Sequence, residues 1–115
     1  MHAGKFAEAE SVLRDSLELR IKHSAEHWLR FSTESMLGGA LLGKKAFAEA
    51  GTLLRSGYEG LNERMSTIPE EARHHLRDAL ERLAQFTEIT GGVAQAAGWK
   101  QKIAEFDQTR QIADR

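Results

Sequence analysis

The sequence predicts an all-α chain of about five helices arranged as antiparallel pairs. Three observations carry this expectation. A single proline, Pro69, interrupts 115 residues. The β-branched residues are scattered instead of alternating with polar ones, which leaves strands little support. Apolar side chains recur at three-and-four spacing in five successive stretches, the pattern of amphipathic helices.

The first stretch runs from Phe6 through Ala9, Val12, Leu13 and Leu17 to about Ile21. Ser24 stands where an N-cap would, with Glu26 in the next turn, so a second helix is expected to carry Trp28, Phe31, Met36, Leu37, Ala40 and Leu41 and to end at Gly43. A third helix carries Phe47, Ala50, Leu54, Tyr58 and Leu61 and should stop near Met65. The segment Thr67-Ile68-Pro69-Glu70 offers a cap, an acid and an early proline for a fourth helix bearing Ala72, Leu76, Ala79, Leu80, Leu83 and Phe86. Gly91-Gly92 closes it, and Val93, Ala96, Ala97, Trp99, Ile103 and Phe106 make a fifth, with fraying expected from Gln108 to Arg115. Trp28, Trp99, Phe47 and Tyr58 are the expected core anchors.

Composition narrows the function. Sixteen Lys plus Arg against seventeen Asp plus Glu give a net charge of -1, which argues against a nucleic-acid surface held by bulk charge. No apolar run approaches the ~20 residues of a membrane span, and Met1-His2-Ala3-Gly4-Lys5 lacks the apolar run of a signal peptide. Neither nucleic acid nor a membrane is expected as a partner, and the expected location is cytoplasmic. The absence of cysteine excludes disulfides, thiolate zinc sites and cysteine catalysis.

The chain repeats itself. Phe6, Ala9, Leu13 and Ser16 recur forty-one residues later as Phe47, Ala50, Leu54 and Gly57, and a looser third copy through Val93 and Ala96 follows forty-six residues after the second. The repeating unit is a helix pair, in which the aromatic fills a groove of the partner helix and small residues let the axes approach.

These positions resemble the tetratricopeptide repeat family, in the long-helix variety of kinesin light chains and many bacterial proteins. Leu37, Gly38 and Leu41 stand in the places of that family's first helix, and Phe47, Ala50, Leu54 and Gly57 in those of its second. Phe6, Ala9, Leu13 and Ser16 repeat the second-helix set, while the third copy has Leu83, Ala84, Val93 and Ala96 and departs at Thr87 and Lys100. The resemblance covers most of residues 4–106. It implies a right-handed α-α superhelix, a solenoid divided as 1–23 (second helix of an incomplete repeat), 24–66 (a second repeat), 67–106 (a third, degenerate repeat) and 107–115 (a tail). More narrowly, Glu49 to Leu61, Ile68-Pro69, Glu81-Arg82-Leu83 and Gly98-Trp99 are similar to the C-terminal repeat arrays of bacterial serine/threonine protein kinases. That similarity implies a regulatory or substrate-recruiting segment; the glycine-rich loop, catalytic Asp motif and Asp-Phe-Gly of a kinase catalytic domain do not occur.

The first copy has only its second helix. The face of Phe6, Leu13 and Leu17 is therefore expected to be partly exposed or covered by another chain, either a preceding part of a longer array or a second copy in a homodimer.

Three spacings tempt. His23-Ser24-Ala25-Glu26-His27 spells the pattern of inverted zinc peptidases, and a metal-dependent hydrolase on His23, Glu26 and His27 is the alternative function. The chemistry needs both His on one continuous helix, whereas a cap at Ser24 separates them. Gly38 to Lys45 comes within one residue of a phosphate-binding loop but has Lys45 where a magnesium-binding hydroxyl belongs. His74 and His75, with Glu70, Glu71, Asp78 and Glu81, read as a solvated face in which Asp78–Arg82 and Arg77–Glu81 are four-apart ion pairs. No catalytic residue, metal site or cofactor is assigned.

In the resembled family, first helices line a concave groove for a peptide or partner helix. Carried over, the groove positions are Ser32, Ser35, Gly39 and Leu42 in one unit and Asp78, Glu81, Gln85 and Glu88 in the next. Relatives that grip a terminal carboxylate use Lys, Arg and Asn there, so the expected occupant is a basic or amphipathic protein segment near Asp78, Glu81 and Glu88.

Overall fold

The computed structural model describes residues 2–113, with side chains described for 4–109, and every regular element among them is helical. The elements are α1 (His2–Ser24), α2 (Trp28–Gly43), α3 (Phe47–Glu63), α4 (His74–Ile89) and α5 (Val93–Ala113). Two short 3-10 turns, Met65–Thr67 and Glu70–Ala72, join α3 to α4. No described helix is long and apolar enough to cross a membrane. The radius of gyration is 14.3 Å and the extents are 43 × 37 × 22 Å. A compact chain of this length would have a radius near roughly 13 Å, so the molecule is somewhat elongated. Its thin direction accommodates two helix layers at axial spacings of about 8–10 Å.

Each helix packs on the next, α2 most extensively on α3, and α2 also touches α4 directly. One apolar cluster gathers Leu37, Leu41, Ala50, Leu54, Leu83 and Phe86; a second joins Trp28, Phe31, Leu61, Ile68, Leu76 and Ala79. Ile68 is the anchor that holds the α3–α4 connection down, being almost fully buried.

The second and third helix pairs are the same hairpin. α2 and α4 are both 16 residues long, and their starts, Trp28 and His74, are forty-six residues apart, as are the starts of α3 and α5, Phe47 and Val93. Each first helix ends in a left-handed residue, Lys45 at φ 66° and Gly91 at φ 87°. The following amide then reaches back five residues to a carbonyl, Ala46 to Leu41 at 2.9 Å and Gly92 to Thr87 at 2.7 Å. This is the reversal by which a helix end satisfies its last carbonyls, and glycine suits it because it lacks a Cβ. Ala50 and Ala96 are both buried three residues into the second helices. Close approach of α2 and α3 rests on Gly57, where an added Cβ would stand 2.7 Å from the Ser35 amide nitrogen and 2.8 Å from the Phe31 carbonyl oxygen.

Several expectations are corrected. Ser24 does not cap α2; it is the last residue of α1, and His27, extended at φ -73° and ψ 143°, is the cap, its Nδ1 accepting from the Leu29 amide at 3.1 Å. Burial of Trp28 fixes the helix start beside it. Thr67 does not cap α4, since its hydroxyl donates to the Arg64 carbonyl at 2.7 Å; Ala72 lies in a 3-10 turn and α4 begins at His74. α5 runs on to Ala113, and a two-pronged Arg77–Asp107 ion pair at 2.7 and 3.0 Å ties it across to α4. Asp114 and Arg115 lie outside the described residues.

Phe6 and Phe47 do not occupy equivalent pockets. The Phe6 ring lies within 2.6 Å of where a Cβ on Gly43 would be, whereas Phe47 is 38% exposed and belongs to neither cluster. The forty-one-residue match therefore reflects similar helix faces, and the hairpin repeats at forty-six. Phe6, Leu13 and Leu17 turn toward α2 and stay partly exposed, as expected, while the large apolar side chains Val12, Leu19 and Ile21 of α1 are exposed.

Candidate functional site

The groove positions carried over to α2 are occupied by α4. Ser32 and Ser35 are almost inaccessible, and Leu42 is buried in the apolar cluster. Ser32 Oγ lies 2.9 Å from His75 Nδ1, and Arg82 Nη1 donates to Ser35 Oγ at 3.1 Å. Gly39 makes room for this guanidinium stem: Arg82 Cδ sits 3.2 Å from where a Cβ on Gly39 would be. His75 also packs on Trp28 with ring centroids 5.4 Å apart, and on His74 at 4.4 Å. A serine hydroxyl beside an imidazole is the start of a nucleophile pair, but at 2% exposure Ser32 admits no substrate carbonyl, and the contact serves to seat α4 on α2.

Burial is the main cause that sets the charges at this seam. It pushes the His75 pKa below its ordinary value, helped by neighbouring His74 and Arg82 and opposed by Asp78. It also lowers the Arg82 pKa, against the attraction of Asp78 and Glu81, and the guanidinium keeps its charge.

On α4 the same four positions form an acidic row that stays accessible. Glu81, Gln85 and Glu88 are exposed and Asp78 is half-exposed. Glu81 is paired with Arg77, as expected, and Glu88 with Lys100 of α5. The expected Asp78–Arg82 bridge is replaced by the turn of Arg82 toward Ser35.

The tempting spacings are taken apart by the helix boundaries. His23 lies in the last turn of α1, Glu26 lies in the turn that follows and pairs with Arg64, and His27 spends Nδ1 on the cap of α2. No group of three or more metal-ligating side chains occurs among the described residues. Gly38 to Gly43 lie within α2, and Lys44 reaches Glu10 of α1 at 2.5 Å. Hydrogen bonds from Lys44 and then Arg14 hold the Glu10 carboxyl below its ordinary pKa.

Comparison with known proteins returns no match. This holds for family models, for curated proteins and for solved structures alike.

The residues that sequence reasoning missed are His75 and Arg82, which read as surface charge, and the pair Arg55 and Lys102, which flank Trp99 between α3 and α5. Spacing within α4 gives no sign that Arg82 lies on the face turned to α2. The available signal was Gly39, a helix-interior glycine whose missing side chain accommodates a long neighbour.

Proposed function

We propose that this chain is a non-enzymatic helical-repeat interaction module whose α4 face receives a basic amphipathic helix of a protein partner. One relationship carries the reading: Asp78, Glu81 and Gln85 stand forty-six residues after Ser32, Ser35 and Gly39, the positions α4 itself covers. The contact of α4 on α2 thus serves as a template for what docks on α4. That contact uses His75 and Arg82, seven residues apart and so on one helix face. Acids in the equivalent places favour an incoming helix with cations at the same separation, through charge-assisted hydrogen bonds. The Arg77–Glu81 and Lys100–Glu88 pairs are exposed, and such pairs contribute about 0–1 kcal/mol, so an incoming cation exchanges with them at little cost.

Similarity of the helix pairs to the tetratricopeptide repeat family supports stacking as a right-handed superhelix, and similarity of the second half to kinase C-terminal arrays supports a recruiting role. The experiment is anisotropy titration with a labelled helical peptide carrying Arg at positions seven apart. Binding that tightens at low salt and weakens at least tenfold in Asp78→Lys/Glu81→Lys supports the reading. Binding indifferent to both variants and salt overturns it.

A further inference from the structure

A second surface lies on the opposite helices. α3 and α5 flank α4 and are joined by Tyr58 and Trp99, whose rings meet edge to face at 5.4 Å and 73°. A cleft of about 380 Å³ is walled by Arg55 of α3, by Gln95, Gly98, Trp99 and Lys102 of α5, and by Thr87 of α4 beneath. A second, of about 340 Å³, continues past Tyr58 among Met65, Leu76, Leu80 and Phe106; Lys102 borders both, and Arg73 and Glu105 also line the second.

The chemistry of these walls is specific. Thr87 turns its hydroxyl to the Leu83 and Ala84 carbonyls of its own helix, so the depth of the first cleft offers no free polar group there. Tyr58 packs against both apolar clusters, and burial raises its pKa. Arg55 and Lys102 line the cleft from different helices, both exposed, and neither makes an ion pair or side-chain hydrogen bond among the described residues. Arg14, Arg30, Lys44, Arg64, Arg77 and Lys100 have acidic partners; Lys5, Lys22 and Lys45 have none among the described residues, but they do not line this cleft. Gly98 leaves the cleft wall open, with nothing within 4 Å of an added Cβ. An occupant must be apolar in its depth and anionic at the rim. It must also be long, because α5 from Gln95 to Thr109 spans about 21 Å at 1.5 Å per residue.

We infer that the α3–α5 groove binds an acidic amphipathic peptide segment of a partner protein, its apolar side chains on Trp99 and Tyr58 and its carboxylates between Arg55 and Lys102. This site is separate from the α4 face and recognises the opposite charge. The test is an anisotropy titration of the full chain with a fluorescein-labelled 14-residue peptide of Glu and Leu at helical spacing, beside its counterpart with Lys for Glu. The Glu peptide is expected to bind at least tenfold more tightly than the Lys peptide. Its affinity should fall at least tenfold in Arg55→Glu/Lys102→Glu, and also in Gly98→Leu, which fills the wall without changing charge. Asp78→Lys/Glu81→Lys should bind it undiminished, which separates this groove from the α4 face. Circular dichroism of each variant confirms the fold. Absence of saturable binding, equal affinity for both peptides, or full affinity in the two groove variants would overturn the inference.

Discussion

Lys45 and Gly91 hold the same place in two copies of one hairpin, both left-handed, each followed by an amide that reaches back to a carbonyl five residues earlier. One copy uses the residue suited to that conformation and the other does not. A left-handed non-glycine residue costs about 1–2 kcal/mol, part of which glycine returns through its greater freedom when unfolded. Lys45→Gly should therefore stabilise the chain by about 0.5–1 kcal/mol, and Gly91→Ala should destabilise it by about 1 kcal/mol, both read from urea unfolding midpoints.

The α2–α3 contact tests close packing. An added methyl at Gly57 meets backbone atoms that have nowhere to move, so Gly57→Ala should cost about 1–3 kcal/mol despite its better helix propensity. Gly98→Ala supplies the control, since that helical position faces open space and should gain about 0.5–1 kcal/mol. Equal effects at the two glycines in denaturant melts would remove the packing argument.

Stability should fall in mild acid because of His75. Its folded pKa lies below the ordinary 6.5, mainly through burial, so the unfolded chain binds the proton more readily. The contribution is complete above about pH 6.5 and is lost as pH falls through that value toward the lowered folded one. Thermal midpoints should drop between pH 7 and 5, and less steeply in His75→Gln, whose amide retains a partner for Ser32. Identical pH profiles would show that His75 does not titrate against the fold.

Much of this architecture was legible in the chain. Three-and-four spacing placed the five helices, Gly91-Gly92 marked the end of α4, and Ala50 with Ala96 marked the forty-six-residue step. What escaped depends on partners distant in sequence. His27 caps α2 because Trp28 is drawn into a cluster with Leu61 and Leu76, and Ser24 is left inside α1. Phe47 matches Phe6 by position, yet only Phe6 meets a glycine on α2. Ser35 reads as groove in a solitary helix and becomes interior once Arg82 crosses from α4.

The seating of α4 on α2 underlies both the repeat and the proposed docking face, and the Ser35–Arg82 hydrogen bond reports on it most directly. A double-mutant cycle with Ser35→Ala and Arg82→Met, read by urea unfolding, isolates that contact. Coupling on the order of 0.5–1.5 kcal/mol is the expected result for residues that touch. Additivity within about 0.3 kcal/mol would mean that α4 does not rest on α2, and the template for the partner helix would be lost.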